Sequence, residues 1–586
     1  MKYELIKPVN PSYDALEQVL TNRGIPYEDI ERYLFSTDAD INSYESFGKD
    51  KLWAAASALI KCVKENGEAI VIVDCDCDGY TSAAVLINYL HDIFPSWVEN
   101  HIDWIMHEGK EHGLNDVLDT ILDLGVSLVL IPDAGSNDTE ACKALTEQNI
   151  DIVILDHHLC DIDNPYAIII NNQLSDYPNK DLSGVGVVWQ FCRYLDDLLK
   201  TNHAYQYLDL VALGLDGDMM SLTSIETKHL IQRGLANETN PFIWEMHQKN
   251  MFSLGEDLTP IGVAFYIVPF VNAITRSGTL NEKYLIFNSM LKYKAFQEIP
   301  STKRGHGPGE TEKVVEQAVR VAHNVKARQT RTQDAGMEFL EAQIETNNML
   351  EHYVLLFLLE PGQVDRNIAG LIANKLMAKY QRPVCVLTKV EHEGQISYQG
   401  SARGCDKTGI SDFKSICDQT EAVMYTAGHP GAFGVGILEE NIDKFIQKTD
   451  EILAAAPNEV IYYVDYIYKG NQLNGNNILD IANMKELWGK DIDEAYIAVE
   501  GLRVTADMVT IYSKKNLTIK ITVPNGINIM MFNASVLTCD RLQASNTGWV
   551  ELNIVGTCNA NEWMGNVTPQ IFCEEFEIVN SSRYFF

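Results

Sequence analysis

The stretch Ala69-Ile-Val-Ile-Val73-Asp74-Cys75-Asp76-Cys77-Asp78-Gly79 decides how this chain is read. Its five apolar residues fit a buried strand and are too few for a helix. Three aspartates then stand at alternate positions, ahead of Gly79 and a helical pattern over 81–93. Upstream, residues 51–67 read as an amphipathic helix. Downstream, SLVLIP (127–132), DIVIL (151–155) and YAIII (166–170) repeat the short apolar run, and helical patterns cover 115–124 and 138–148. Strand and helix alternating at this spacing predict an α/β fold with a parallel sheet and right-handed crossovers. In such sheets the ligand crevice lies beyond the carboxyl ends of the strands.

Other strand ends deliver polar groups to that same edge. The run 127–132 leads into Asp133-Ala134-Gly135, and 151–155 into Asp156-His157-His158. Gly214-Leu-Asp216-Gly-Asp218 follows a helical run over 204–213. A single Asp after a strand is ordinarily a helix cap or turn residue. Three strand ends that each supply Asp or His are harder to explain as caps. Carboxylates brought together repel, so their joint ionisation needs a cation. Oxygen ligands with an imidazole suit Mn²⁺ or Mg²⁺. Five or six of them suffice for two ions about 3.5–4 Å apart, an arrangement that activates water against phosphate esters.

The totals fit such an enzyme. The 586 residues allow three to five domains, and 46% apolar with 22% charged residues is ordinary globular composition. No window approaches about 18–20 uninterrupted apolar residues, so no membrane span is expected. The opening MKYELIKPVNPSYD lacks an apolar signal region, so export is not expected either. The 12 cysteines are scattered and none forms a CxxC pair, which reads as reduced thiols in a cytoplasm. The net charge of −35 excludes broad positive-surface binding of polyanions and leaves room only for local basic stripes or bound cations.

Helical patterns fill 185–300. Residues 301–310, STKRGHGPGE, read as a loop or linker, and a long helical pattern follows over 311–351. Along it Lys313, Arg320, Asn324, Arg328 and Arg331 fall within a sector of about 80°. From 301 to 331 there are seven Lys/Arg against three Glu, a local net of +4. A solvated helix face is the ordinary reading; beside a phosphoesterase site the stripe reads as a track for a nucleic-acid backbone. A second, smaller α/β domain is expected to about 455, carrying the Gly-rich turns Gly400-Ser401-Ala402-Arg403-Gly404 and Ala427-Gly428-His429-Pro430-Gly431. From 456 short strands with Asn/Gly turns suggest a small barrel or sandwich.

On these residues the chain resembles the RecJ-like single-strand-specific exonucleases of the DHH phosphoesterase family. Asp156-His157-His158 matches the family signature, and the triple-Asp run, Asp133-Ala-Gly and Asp218 fall where its other motifs do. Leu20-Thr-Asn-Arg23-Gly24-Ile25, His112-Gly113-Leu114, Leu182-Ser-Gly184-Val-Gly186-Val and Pro269-Phe-Val-Asn272-Ala-Ile-Thr-Arg276 extend the likeness in order along the chain. Departures include Cys75 for the usual Tyr, Ala134 for Cys, and Gly217-Asp218-Met-Met-Ser-Leu222 for Ala-Asp-Val-Val-Pro-Leu. None removes a ligand, and the chain reads as a divergent member.

The resemblance implies a parallel-sheet DHH domain over 51–305 after an N-terminal segment 1–50, and a connecting helix over 306–351. It also implies a DHH-associated substrate-binding domain over 352–455 and an OB-like domain over 456–586. By similarity Asp76, Asp78, Asp133, His157 and Asp218 hold two Mn²⁺ (or Mg²⁺) ions, with Asp74 a sixth ligand. Asp156 orients His157, and His158 contacts the scissile phosphate or assists proton transfer. Asn272 and Arg276 bind phosphate near the metals. Arg320 and Arg328 track the backbone, while Ser401, Arg403, Gly428 and His429 grip the strand. Asn561-Glu562-Trp563-Met-Gly565 resembles a turn of the OB-like domain, with Trp563 read as a packing residue.

The implied function is 5′→3′ exonucleolytic hydrolysis of single-stranded DNA in repair, recombination or replication, with a single-strand-binding protein or helicase as partner and no membrane. Two other readings compete. One is a DHH phosphodiesterase acting on short oligoribonucleotides or cyclic dinucleotides, against which the last ~130 residues and the basic helix count. The other is a non-catalytic replication scaffold, against which the complete ligand set counts. An inorganic pyrophosphatase would need His where Ile72 stands.

Overall fold

A computed structural model describes residues 1–109, 112–160, 164–392, 394–454, 460–512, 517–543 and 548–582. The chain divides into two compact units. One is Glu28–Gln329 with Glu486–Asp493; the other is Met1–Tyr27, Thr330–Lys485 and Glu494–Phe586. The stretch 1–50, expected as one segment, is thus shared between them.

In the first unit the run 69–73 is strand β1 (Ala69–Val73), buried along its whole length. It pairs in parallel with β2 (Ile102–Met106) and β3 (Leu128–Pro132), and the sheet continues through β4 (Asp151–Asp156) and β5 (Ile168–Asn171) in the order β2-β1-β3-β4-β5. On one face Ile70, Ile72, Val129, Ile131, Ile152 and Ile154 pack against Ile121, Ala141 and Leu145. Each such burial is worth about 1.5–3 kcal/mol, enough for the sheet to hold unfavourable charge at its edge. The strand order reverses between β1 and β3, so the crevice opens there.

Helix α1 (Cys77–Ile93) leaves β1 directly and is buried along most of its length. It stops before Phe94, whose helical conformation the following Pro95 disfavours. Helices α2 (Gly184–Leu199), α3 (Leu208–Gly217) and α4 (Val268–Ser277) pack against α1. Residues 301–310 are the loop of a hairpin between Glu298–Pro300 and Thr311–Lys313. The long helix α5 is Val314–Thr346, shorter at both ends than 306–351 because the hairpin claims its expected start.

Among the described residues the second unit holds two large sheets and a two-stranded one. The first orders β6 (Leu355–Leu359), β7 (Val384–His392), β8 (Gln395–Arg403), β9 (Val423–His429) and β10 (Ala432–Leu438) as β9-β10-β8-β7-β6; only β6–β7 is parallel. The other runs β11 (Tyr466–Lys469), β12 (Tyr496–Thr505), β13 (Val509–Tyr512), β14 (Thr518–Thr522), β15 (Asn528–Met531), β16 (Trp549–Trp563) and β17 (Asn566–Ser581) in the order β11-β12-β16-β17-β15-β14-β13. The β-rich texture expected from 456 is therefore present, as one seven-stranded sheet with β11 and β13 at its ends. The N-terminal strand Lys2–Leu5 pairs in parallel with Ile461–Val464, a long-range contact that local patterning does not signal.

Candidate metal centre

The carboxyl ends of β1, β3 and β4 and the end of α3 meet in the β1/β3 crevice. Asp76 is the N-cap of α1, its Oδ1 accepting from Gly79 N at 2.9 Å, so the capping reading holds for this residue without removing it from the cluster. Asp78, in the first turn of α1, accepts from Ser183 Oγ at 2.9 Å, Gly184 N at 2.7 Å and Val185 N at 3.2 Å. The start of α2 thus offers its unpaired amides and positive dipole end to one carboxylate. Asp133 follows β3 in a left-handed conformation, φ 70°, tied by its N–H to Leu155 O at 2.7 Å. Asp218 caps the end of α3, its N–H bonded to Gly214 O at 2.9 Å.

His157 Nε2 lies 3.3 Å from Asp133 Oδ1, 3.4 Å from Asp218 Oδ2 and 4.0 Å from Asp78 Oδ2. Ligand atoms of Asp74, Asp76 and Asp133 lie within 4.8 Å of one another, as do those of Asp78, His157 and Asp218. All six expected ligands are thus brought together.

Asp156 stands differently from its expected role. Its Oδ1 accepts from His157 N at 2.7 Å, His158 N at 3.1 Å and His158 Nδ1 at 2.8 Å, and its Oδ2 from Ser136 N at 3.2 Å. The imidazole it orients is that of His158, while His157 is held through its backbone. His158 itself is half exposed, its Nε2 edge left for other partners.

The electrostatics follow from packing. Burial, added to the charges of Asp74 and Asp78, pushes the Asp76 carboxyl up. Burial also raises Asp78, against the hydrogen bonds that favour its charge. Asp133 rises well above the carboxylate range through burial and its Asp78, Asp76 and Asp74 neighbours. Asp218 is pushed up to about 8 by burial and by Asp78 and Asp76. Burial and the adjacent His158 push His157 down to about 4, so its ring is neutral at pH 7. The hydrogen bond to Asp156 lifts His158 to about 9.

These residues fit a divalent cation. Asp74 Oδ1 and Asp133 Oδ1 are buried and accept no hydrogen bond among the described residues. His157 Nε2 and Asp133 Oδ1 lie 3.3 Å apart, and each can turn a lone pair to a cation held between them. The donor set is mainly carboxylate oxygen with one imidazole, matching Mn²⁺ or Mg²⁺.

Glycines set how closely the carboxylates approach, and motif spacing does not reveal this. A Cβ on Gly184 would sit 2.3 Å from Asp133 Oδ1, one on Gly79 2.5 Å from Asp74 Cβ, and one on Gly214 2.7 Å from Asp78 Oδ1. Sequence reasoning also missed Ser183 as a ligand holder and His112 as a neighbour of the cluster. His112 Nδ1 is 2.7 Å from Asp74 Oδ2, which with Cys75 lifts the ring to about 11.

The expected substrate residues divide. Asn272 and Arg276 lie on α4, which packs on α1 and α3, and the buried Asn272 Oδ1 accepts no hydrogen bond among the described residues. On α5, Arg320 pairs with Glu312 and with Thr302 Oγ1 at 3.0 Å. Arg328 pairs with Glu282 Oε2 at 2.9 Å and Ser277 O at 3.1 Å. Two arginines of the expected track are therefore partly neutralised in place; the Glu282 partner lies outside the 301–331 charge count. In the second unit, Ser401 and Arg403 on β8 and Gly428 and His429 on β9 flank β10. Arg403 and His429 are both registered opposite Ala432, so all three share one face. A Cβ on Gly370, at the start of helix Ala369–Tyr380, would lie 2.5 Å from Arg403 Nη2 and 3.3 Å from Ser401 Oγ. The side chain of Trp563 lies outside the described residues.

Comparison with known proteins gives the family and the fold. Residues 68–215 match the model of the DHH family, N-terminal domain. The SPbeta prophage-derived chain YorK of Bacillus subtilis (strain 168), named as a candidate single-strand DNA-specific exonuclease, is 33% identical over 100% of this chain and 99% of its own length. The single-stranded-DNA-specific exonuclease RecJ of the same organism is 24% identical over 98% of this chain and 70% of its own. In fold, the Thermus thermophilus RecJ in complex with Mn²⁺ matches 99% of this chain and 79% of its own with TM-score 0.69 at 17% identity; its Mg²⁺ complex gives 0.65.

Proposed function

Because the chain belongs to the DHH family as a divergent RecJ-like member, we propose that it is a divalent-cation-dependent exonuclease that hydrolyses single-stranded DNA in the 5′→3′ direction. One observation carries the proposal: buried carboxylates and a neutral imidazole from four separate segments converge, and Asp74 Oδ1 and Asp133 Oδ1 find no donor among the described residues. Asp76, Asp78, Asp133, His157 and Asp218, with Asp74 as a sixth, would hold two Mn²⁺ or Mg²⁺ ions. Bound there, the cations would polarise the phosphate and supply an activated water for in-line attack.

The chain's own residues do the rest. Asp78, fixed by three donors, and Asp133, wedged against Gly184, are held without needing to reorganise. His158, oriented through Nδ1 by Asp156 and protonated near neutrality, donates from Nε2 to a phosphoryl oxygen or the leaving group. Asn272 and Arg276 on α4 bind the phosphate beside the centre. Arg320, Arg328 and Arg331 on α5, with Lys313 at the end of the hairpin strand just before it, follow the strand backbone. Ser401, Arg403, Gly428 and His429 form a phosphate grip in the 352–455 domain, where a planar guanidinium can hold two phosphoryl oxygens.

The 456–586 region is assigned as an OB-like module for single strands. The role that follows is cytoplasmic DNA repair, recombination or replication alongside a single-strand-binding protein or helicase. Among the described residues no helix is long and apolar enough to cross a membrane. The test is digestion of single-stranded DNA and RNA, labelled at either end, with Mn²⁺. The expected result is mononucleotide released first from the 5′ label of DNA. Release first from the 3′ label would refute the polarity, and preference for RNA or for dinucleotides would refute the substrate.

A further inference from the structure

Beside the oxygen-rich centre lies a second cluster of different chemistry. Single ligand atoms of Asp74, Cys75 and His112 all lie within 4.8 Å of one another. His112 Nδ1 is 2.7 Å from Asp74 Oδ2, and Cys75 Sγ is 3.8 Å from His112 Nε2 and 3.9 Å from its Nδ1. Cys75 and Asp74 are buried, whereas the His112 side chain is 59% exposed, so the cluster opens to solvent on the histidine side.

The loop carrying His112 is anchored on both sides. Lys283 Nζ donates to His107 O at 2.8 Å and Glu108 O at 2.7 Å. Asp138 accepts from Leu114 N at 2.7 Å and Asn115 Nδ2 at 3.2 Å. Between them Gly113, at φ 72°, admits no side chain, since a Cβ there would lie 2.0 Å from Asp138 Oδ2. His112 is thus presented to Asp74 and Cys75 by a built scaffold.

We propose that Asp74, Cys75 and His112 form an adjoining binding site for a borderline-soft divalent cation of the Zn²⁺ or Co²⁺ class, which shares Asp74 with the oxygen-rich centre through its other carboxylate oxygen. One thiolate, one imidazole and one carboxylate with an open fourth position is a zinc-type donor set, unlike the oxygen-dominated centre beside it. Bond lengths of about 2.3 Å to sulfur and 2.0–2.1 Å to nitrogen and oxygen put tetrahedral ligands about 3.3–3.6 Å apart. With Nδ1 as the ligand nitrogen, the sulfur–nitrogen pair at 3.9 Å is already within about 0.3 Å of that range, and the nitrogen–oxygen pair at 2.7 Å needs only to widen as a cation replaces the shared proton. Binding releases the Cys75 and His112 protons to solvent and leaves oxidation states unchanged. Through Asp74 the cation would tie His112 to the end of β1.

The test uses the full chain, stripped by chelation, with excess Mn²⁺ to occupy the oxygen-rich centre, and Co²⁺ as the probe. The expected result is a near-ultraviolet thiolate-to-cobalt charge-transfer band saturating at one equivalent. Cys75→Ser should abolish it, and His112→Ala should raise the half-saturating Co²⁺ concentration at least tenfold. Asp133→Ala, which disables only the oxygen-rich centre, should keep it. No band, a band surviving Cys75→Ser, or a band lost with Asp133→Ala would overturn the proposal. Circular dichroism of each variant separates lost binding from lost fold, and nuclease activity is not the readout.

Discussion

Asp465, in the second unit, and Asp133, in the first, are almost equally hidden, at 0% and 1% exposure. Asp465 is surrounded by donors: Asn22 Nδ2 at 2.9 Å, Arg23 Nη1 at 2.8 Å and Nη2 at 3.0 Å, and Tyr496 N at 3.1 Å. It fixes the N-terminal helix to the seven-stranded sheet. Asp133 has other carboxylates for neighbours, a backbone conformation with positive φ, and an oxygen to which nothing donates among the described residues. Burial alone therefore does not distinguish a structural acid from a ligand; satisfaction does. A satisfied buried carboxylate is part of the fold, and an unsatisfied cluster is stable only with a missing positive charge.

The contrast is broken most severely at the centre itself. Asp133→Ala is expected to lower Mn²⁺-dependent hydrolysis of single-stranded DNA roughly 10³-fold or more, the loss of several kcal/mol of charge stabilisation. Its urea unfolding should stay cooperative. Activity within tenfold of the parent would remove Asp133 from the chemistry.

Asp465→Ala reverses the pattern. Leaving Arg23 buried without its partner should cost about 3–5 kcal/mol of stability in urea, while the folded protein remains active. A loss under about 1 kcal/mol would mean that the anchor is dispensable.

The unsatisfied centre also makes stability depend on pH. The raised carboxyls of Asp76, Asp78, Asp133 and Asp218 bind protons in the folded state that the unfolded chain has released. Cation-free protein should therefore lose stability as pH rises from about 4 through about 8, where Asp218 loses its proton. Mn²⁺ at a hundred times its dissociation constant should restore about 2.7 kcal/mol and flatten the curve. Thermal unfolding across pH, with and without Mn²⁺, checks this; a flat cation-free curve would contradict the repulsive centre.

How much of this was legible in the sequence depends on range. The run 69–79 and the Asp and His residues after each strand point to the parallel sheet and its ligand edge because strand ends and their loops are local. The closeness of the carboxylates is not local: it depends on Gly184 and Gly214, which meet Asp133 and Asp78 only after α2 and α3 dock. The Asp156–His158 bond inverted the expected role because two adjacent histidines point in different directions, which spacing cannot express. Likewise Lys2–Leu5 finds Ile461–Val464 across the whole chain.

A milder break is Asp156→Asn. His158, lifted to about 9 by Asp156, keeps its favourable interaction fully below its unfolded value near 6.5 and loses it as pH rises through about 9. Without that carboxylate the alkaline limb of the rate profile should move down by one to two pH units, with less change at pH 6. An unmoved limb would exclude His158 as the proton donor.

The smallest effect is expected where the charges are already compensated. Arg320 and Arg328 are held by Glu312 and Glu282, so only part of their charge is available to a strand. A contact to a phosphate would have to compete with, or bridge, these carboxylates. Arg320→Ala with Arg328→Ala should therefore weaken long single strands by less than about tenfold and leave dinucleotide binding unchanged. The slope of log affinity against log salt should fall by at most about 0.7 for each lost phosphate contact. Equal weakening of long and short substrates would locate these arginines in the fold rather than on the strand's path. In the parent chain, with both arginines present, a gain in long-strand affinity on Glu312→Gln with Glu282→Gln would show that their carboxylate partners, and not their position, limit them.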